Sequence, residues 1–196
     1  MKEPTPQNPE ADESPDTEMK ASDVIGVYSL FEDNGIQIWI DGGWGVDALL
    51  EEQTRPHGDL DIVVQSNDLA QMEQLLKERG YEKKGEEHAR PWNYILEDTD
   101  GHEIDIHVID VDEHGNGIYG PSENDEVYPA SSLTSTGKIT GHEVRCISPA
   151  YIIESHSGYE LTEKDYRDVK ALCERFNIDL PKEYRGFEDS GEIFAT

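Results

Sequence analysis

Cysteine is scarce in this chain: Cys146 and Cys173 are the only two in 196 residues, and they form no Cys-x-x-Cys pair. That excludes a disulfide framework and a cysteine-based zinc cluster, and it fits a reducing compartment. Long apolar runs are missing as well. No stretch of about 18 apolar residues occurs, so no membrane span is expected. The first residues hold no basic region followed by an apolar stretch, so no secretory leader is expected and the chain is assigned to the cytoplasm. Basic residues are few, with 16 Lys and Arg against 44 Asp and Glu and a net charge of −28. Nonspecific nucleic-acid binding is disfavoured, because one polyanion would meet another. The acidity is spread along the chain rather than gathered in one tail. It is therefore read as an adaptation to a salt-rich, halophilic cytoplasm, where ionic strength screens self-repulsion.

Apolar residues make up only 35% of the chain, yet periodic segments rich in Ile, Val, Leu and Trp recur from Val24 to Phe176, enough for one ordinary domain with a small helical appendage. Residues 1–20 are rich in Pro, Glu and Asp and are expected to form a disordered acidic tail. A core is expected over 21–147 and a helical part with a tail over 148–196. The first helix is expected to start at Ser22 as N-cap and stop at Asn34-Gly35. Ile36 to Ile40 reads as a buried strand running into the tight turn Asp41-Gly42-Gly43, followed by a short helix from Trp44 to Glu51. Asp59 to Val64 reads as a second strand, with a helix capped by Asn67 running to Arg79 and closed by Gly80. Two strands, Asn93 to Glu97 and Glu103 to Ile109, flank the hairpin signal Asp98-Thr-Asp-Gly101. Asp110 to Tyr128 reads as a long loop beside the site. After a strand at Val144 to Ile147, helices are expected at Pro149 to Ser157 and Glu163 to Phe176.

The chemistry concentrates at Gly42-Gly43-Trp44 and Asp59-Leu60-Asp61. Residues two apart on a strand share a face, so the two carboxylates converge where a divalent ion can bridge them. Magnesium suits such a site, because it takes a few carboxylates and fills its other positions with water and phosphate oxygens. Paired glycines let the backbone approach a phosphate with no Cβ in the way. Asp105 can complete the cluster if its strand neighbours that of Asp59. Glu103 and His107 share its face, so that face is expected to be the cleft. Other signals are weaker. Asp110 to Gly115 begins like a calcium loop, but Pro121 stands at the twelfth position, which rules out an EF-hand. His102 and His107 do not have the HExxH spacing. Trp39 in an apolar run is read as core, and Glu86-Glu87 as a solvated pair.

Taken together, WIDGGWGVDALL, TRPHGDLDIVV, EIDIHVID, GHEVRCIS and HSGYELTEKDYRDVKAL resemble the lincosamide nucleotidyltransferases and, more distantly, the aminoglycoside 2''-adenylyltransferases, over Ile36 to Leu172. The resemblance implies an α+β fold: a polymerase-β-like nucleotidyltransferase core, a mixed sheet with flanking helices, plus a C-terminal helical part. It implies Mg2+ and ATP, or another NTP, as cofactor and co-substrate, with the NMP moved to a hydroxyl of a small antibiotic-like acceptor. Asp59 and Asp61 match the magnesium ligands, Asp105 the general base, and Gly42 and Gly43 the triphosphate turn. Arg55 and His57 match basic positions near the nucleotide, and Lys164 a helix that meets the triphosphate. His156 and Tyr159 match acceptor-site positions. Whether Asp105 is base or third metal ligand stays open, and a homodimer is compatible with the sequence. The competing reading is an antitoxin-like or regulatory nucleotidyltransferase acting on a protein partner.

Overall fold

The structure, a computed structural model, describes residues 17–85, 89–121, 126–156 and 161–187. Helix α1 (Ala21–Asp33) leads into strand β1 (Ile38–Ile40), helix α2 (Gly42–Leu50) and strand β2 (Asp59–Gln65). A 3-10 turn at Ser66–Asp68 precedes α3 (Leu69–Glu78). Strands β3 (Glu82–Lys83), β4 (Asn93–Glu97), β5 (Glu103–Val111), β6 (Gly117–Tyr119) and β7 (Val127–Tyr128) follow. A 3-10 segment at Ala130–Thr134 leads into the hairpin β8 (Ser135–Ile139) and β9 (His142–Cys146), followed by α4 (Pro149–Ser155), α5 (Glu163–Phe176) and a last 3-10 turn at Lys182–Tyr184.

The sheet runs β3-β4-β5-β2-β1-β9-β8, with β6 on β5 and β7 on β6. It is mixed: β2 lies antiparallel to β1 and parallel to β5, and β1 is parallel to β9. Strands β2 and β5 dictate what the sheet is for. In each, Leu or Ile alternates with a polar residue, so Leu60, Ile62, Ile104 and Ile106 enter the core while Asp61, Asp105 and His107 take the other face. Their register sets Asp59 opposite Glu103, Asp61 opposite Asp105 and Val63 opposite His107.

The helix ends follow capping chemistry. Ser148 caps α4 with Pro149 in its first turn, and Thr162 and Asp165 close a capping box at the start of α5. Ile152, Val169 and Leu172 bury in the same core as the strands, so the C-terminal helices pack onto the sheet domain.

Several elements differ from the sequence reading. The cap of α1 is Lys20, whose N–H is taken by the Asp23 carboxylate at 3.1 Å, so Ser22 lies inside the first turn. Met19, expected in the tail, is fully buried and its N–H donates to the His57 carbonyl at 2.8 Å, while residues 1–16 lie outside the described residues. Asn67 sits in the 3-10 turn and caps nothing. The stretch from Asp110 to Tyr128 is not a single loop. Asp112 accepts from the amides of His114 and Asn116 at 2.8 Å each, reversing the chain so that β6 returns along β5. Strand β8 had no visible signature, because Ser-Thr-Gly-Lys-Ile lacks a regular apolar alternation. Trp39 is core, with its indole N–H on the Leu133 carbonyl at 2.7 Å. The pair Glu86-Glu87 and Tyr159 lie outside the described residues.

Candidate active site

A cleft of about 620 Å³ opens where the start of α2, the beginning of β2, β5 to β7 and helices α4 and α5 meet. Its floor is laid by the turn after β1. Asp41 caps α2, its Oδ1 accepting from the Gly42 amide at 2.9 Å. Gly42 has φ +55°, and a Cβ there would stand 1.9 Å from Asp61 Oδ2. Only glycine lets the helix start press against that carboxylate. The first-turn amides of a helix have no intrahelical partners and carry the positive end of its dipole, so anions are favoured at this point.

Asp61 lies deep in the cleft, while Asp59 lines it from an exposed position. Burial, the neighbouring Asp59 and the further carboxylates Asp41 and Asp105 push the Asp61 carboxyl up to about 7, with His107 opposing. Burial also disfavours the His107 imidazolium, but the Asp105 carboxylate beside it, with Asp41 and Asp61, outweighs burial and raises it to about 9. One ligand atom each from Asp61, Asp105 and His107 lie within 4.8 Å of one another. Asp59 stands outside that group. A buried carboxylate crowded in this way by Asp59, Asp41 and Asp105 fits a cation, which would relieve the repulsion.

Outer residues hold these groups. Asn93 Nδ2 donates to Asp105 Oδ1 at 2.7 Å. Tyr128 Oη donates to Asp41 Oδ2 at 3.2 Å and stands 3.0 Å from His107 Nδ1. Asp105 itself does not line the main cleft: it reaches the Asp61 and His107 group from a smaller recess of about 240 Å³ walled by Asn93, Tyr94 and Ile95.

Arg55 and Lys164 supply positive charge to the cleft, and Lys164 has no ion-pair partner among the described residues. Arg55 is held from three sides. Its Nη2 donates to Asp168 Oδ2 at 2.8 Å, and its Nη1 to His57 Nδ1 at 2.9 Å and the Pro56 carbonyl at 3.3 Å. His57 does not line the cleft. It is buried under Gly43, where a Cβ would meet His57 Nδ1 at 2.4 Å and Arg55 Nη2 at 2.6 Å, and its Nε2 lies 2.5 Å from Asp47 Oδ2. His156 lines the cleft from the end of α4. Glu103 is engaged by Lys84 outside the cleft.

The sequence reading missed Asp41, Tyr128, Asn93, Asp47 and Asp168. Asp47 did leave a trace, as an acid inside the apolar run Trp44 to Leu50, and Asp168 is an acid on the apolar stripe of α5. Asn93 and Tyr128 carry no signal in sequence, since strand pairing alone brings them to the site.

Residues 23–172 match the family model of the aminoglycoside-2''-adenylyltransferases. The chain belongs to that family. As a member, it is 33% identical over 150 residues to a lincosamide resistance protein of Staphylococcus haemolyticus, an alignment covering 76% of this chain and 92% of that one. The lincomycin-bound structure of the lincosamide antibiotic adenylyltransferase LnuA superposes with a TM-score of 0.70 at 29% identity, over 83% of this chain and all of that one. ANT(2'')-Ia in complex with adenylyl-2''-tobramycin gives a TM-score of 0.65 at 20% identity, over 88% and 98% of the two chains, a likeness of fold. The α+β nucleotidyltransferase core with flanking helices is therefore the observed fold, and this family member is an enzyme of the nucleotidyltransferase class. Among the described residues no helix is long and apolar enough to cross a membrane.

Proposed function

We propose that this family member transfers AMP from ATP to a hydroxyl of a small antibiotic-like acceptor, a lincosamide or an aminoglycoside, with magnesium as cofactor. The observation that carries this reading is the seating of Asp61 against the bare backbone of Gly42, which joins ion-binding carboxylates and phosphate-favouring amides in one cleft. Asp59 and Asp61 would hold the magnesium, which when bound neutralises charge on the α-phosphate and pyrophosphate. Gly42 and Gly43 admit the triphosphate, while Arg55 and Lys164 balance its charge. His57 acts indirectly, by fixing Arg55 beneath Gly43. Asp105 takes the proton of the acceptor hydroxyl. That oxygen then bonds to the α-phosphorus as the bond to pyrophosphate breaks in line. Positioning and electrostatics supply most of the rate. With a net charge of −28, we place this work in a salt-rich cytoplasm.

Incubating the purified protein with ATP, magnesium and a panel of lincosamides and aminoglycosides, followed by mass spectrometry, tests this reading. One added AMP on at least one acceptor, with matching pyrophosphate release, is expected. No adenylylated product across the panel would overturn the acceptor class.

A further inference from the structure

We infer that His107 is itself a metal ligand through Nε2, making with Asp61 and Asp105 a mixed nitrogen and oxygen site that prefers Mn2+ to Mg2+. This rests on the nucleotidyltransferase reading above and goes beyond its two-carboxylate magnesium site.

The hydrogen-bond directions around the imidazole assign its two nitrogens. Tyr128 has one hydroxyl proton, and Asp41 Oδ2 at 3.2 Å takes it. The Tyr128 oxygen is then left to accept from His107 Nδ1–H at 3.0 Å. Nε2 is the end that Tyr128 leaves unengaged, and it faces Asp105 Oδ2 at 3.6 Å, where a bound ion would displace the proton that the surrounding carboxylates otherwise hold. That separation is too long for a hydrogen bond. It lies between the roughly 3 Å of cis ligands and the roughly 4.2 Å of trans ligands that bonds of about 2.1 Å set, so a shift of about half an ångström brings both atoms onto one ion. Asp61 supplies the third atom inside the same 4.8 Å group.

Each of the three side chains is also braced by a neighbour, as metal ligands are. Asn93 holds Oδ1 of Asp105 and leaves Oδ2 to the His107 side. Tyr128 and Asp41 hold Nδ1 of His107, whose ring also stacks on Tyr119 with centroids 5.5 Å apart. Gly42 packs on Asp61. A solvated histidine next to an acid would need none of this bracing. Magnesium binds oxygen and sheds water reluctantly, whereas imidazole suits first-row transition ions, so a nitrogen in the site shifts the preference.

The test uses Mn2+ and Mg2+ as probes on the full-length protein, without an acceptor. Electron spin-echo spectra of bound Mn2+ should show nitrogen modulation that changes when histidine is 15N-labelled, a readout that needs no variant. In parallel, the ratio of Mn2+ to Mg2+ affinity, measured by titration calorimetry, should fall by about 10–100-fold in His107→Gln and shift in the same direction in Tyr128→Phe. Using the ratio cancels the charge change, which both ions share. Bound Mn2+ without nitrogen modulation, or an unchanged ratio in His107→Gln, would overturn the assignment of His107 and leave the nucleotidyltransferase reading intact. Failure of either ion to bind, even with ATP present, would overturn both.

Discussion

The buried link between Asp47 and His57 has a direction, and reversing one end of it should loosen the Arg55 side of the cleft. A guanidinium can only donate, so the 2.9 Å contact from Arg55 makes His57 Nδ1 an acceptor and leaves the ring proton on Nε2, which donates to Asp47. Asp47 Oδ1 also accepts from the Thr54 amide at 3.0 Å and the Thr54 hydroxyl at 2.7 Å. The Asp47 and His57 side chains are each 2% exposed, so water cannot replace what is lost. In Asp47→Asn the amide oxygen can keep Thr54, but its NH2 then faces the Nε2–H, donor against donor. Moving the ring proton to Nδ1 only passes the conflict on to Arg55.

The loss is one hydrogen bond to a charged group, worth about 1.5–3 kcal/mol, together with a buried donor left unmatched. We expect Asp47→Asn to destabilise by about 3 kcal/mol, which for a domain of this size lowers the melting temperature by roughly 6–12 °C. Circular-dichroism melts of the two proteins measure it. Because Arg55 loses its brace, KM for magnesium-ATP should rise more than kcat falls. A melting temperature within about 2 °C of the unaltered protein, corresponding to under roughly 1 kcal/mol, would refute the directional chain.

Other perturbations address the remaining groups. Asp61→Asn should abolish adenylyl transfer while leaving the melting temperature of the metal-free protein equal or higher, because it removes a charge crowded by Asp59, Asp41 and Asp105; a folded variant with near-normal turnover would sink the site. Asp105→Ala should cut turnover by about 10²–10⁴-fold, the usual worth of a positioned base, measured as AMP transfer at saturating magnesium and ATP; near-normal turnover would remove Asp105 from the site. At Asp98, burial works against the charge, but the side chain and amide of His102 and the amide of Asp100 outweigh it and hold the carboxyl below its ordinary 3.8. A depressed carboxylate stabilises above its unfolded value and loses that stability as pH falls through its folded one. The cost of Asp98→Ala, followed by melts across pH, should therefore be full at neutral pH and shrink below about 4. Raising KCl toward molar levels should raise the melting temperature of a chain with net charge −28, and a flat or falling response would remove the halophilic reading.

What was legible in the sequence was whatever local chemistry decides. Helix α5 runs from Glu163 to Phe176 as its apolar stripe and capping box require, and the alternation in Asp59-Leu60-Asp61 and Glu103-Ile104-Asp105 gave both strands and the face they share. Strand β8 was hidden because its identity depends on its neighbours. At Gly137 a Cβ would strike the Ala48 carbonyl at 2.3 Å, so this glycine marks where α2 crosses the sheet, and nothing local announces that. The long polar stretch after β5 misled for a related reason, since Asp112 folds it back by bonds that composition does not reveal. In the site, Asp59, Asp61 and Asp105 stood out as acids in apolar strands. Their supports did not, because Asn93 reaches Asp105 across a strand pair and Tyr128 reaches Asp41 over 87 residues of chain.

The same distinction explains how the C-terminal helices serve the cleft. Lys164 and Asp168 are four residues apart on α5 and so share a helix face. Lys164 lines the cleft, and Asp168, itself buried, anchors Arg55, which lines the same cleft. The anchor reaches across 113 residues of chain, from α5 to the loop before β2. A core ending after β9 would keep the acidic cluster but lose Lys164, and Arg55 would lose its carboxylate partner. The cleft would then hold Asp41, Asp59 and Asp61 with little to offset a triphosphate. On the proposed reading, docking α5 onto α2 would complete the charge balance for a bound nucleotide, which is a physical reason for the helical part to belong to the same unit as the sheet.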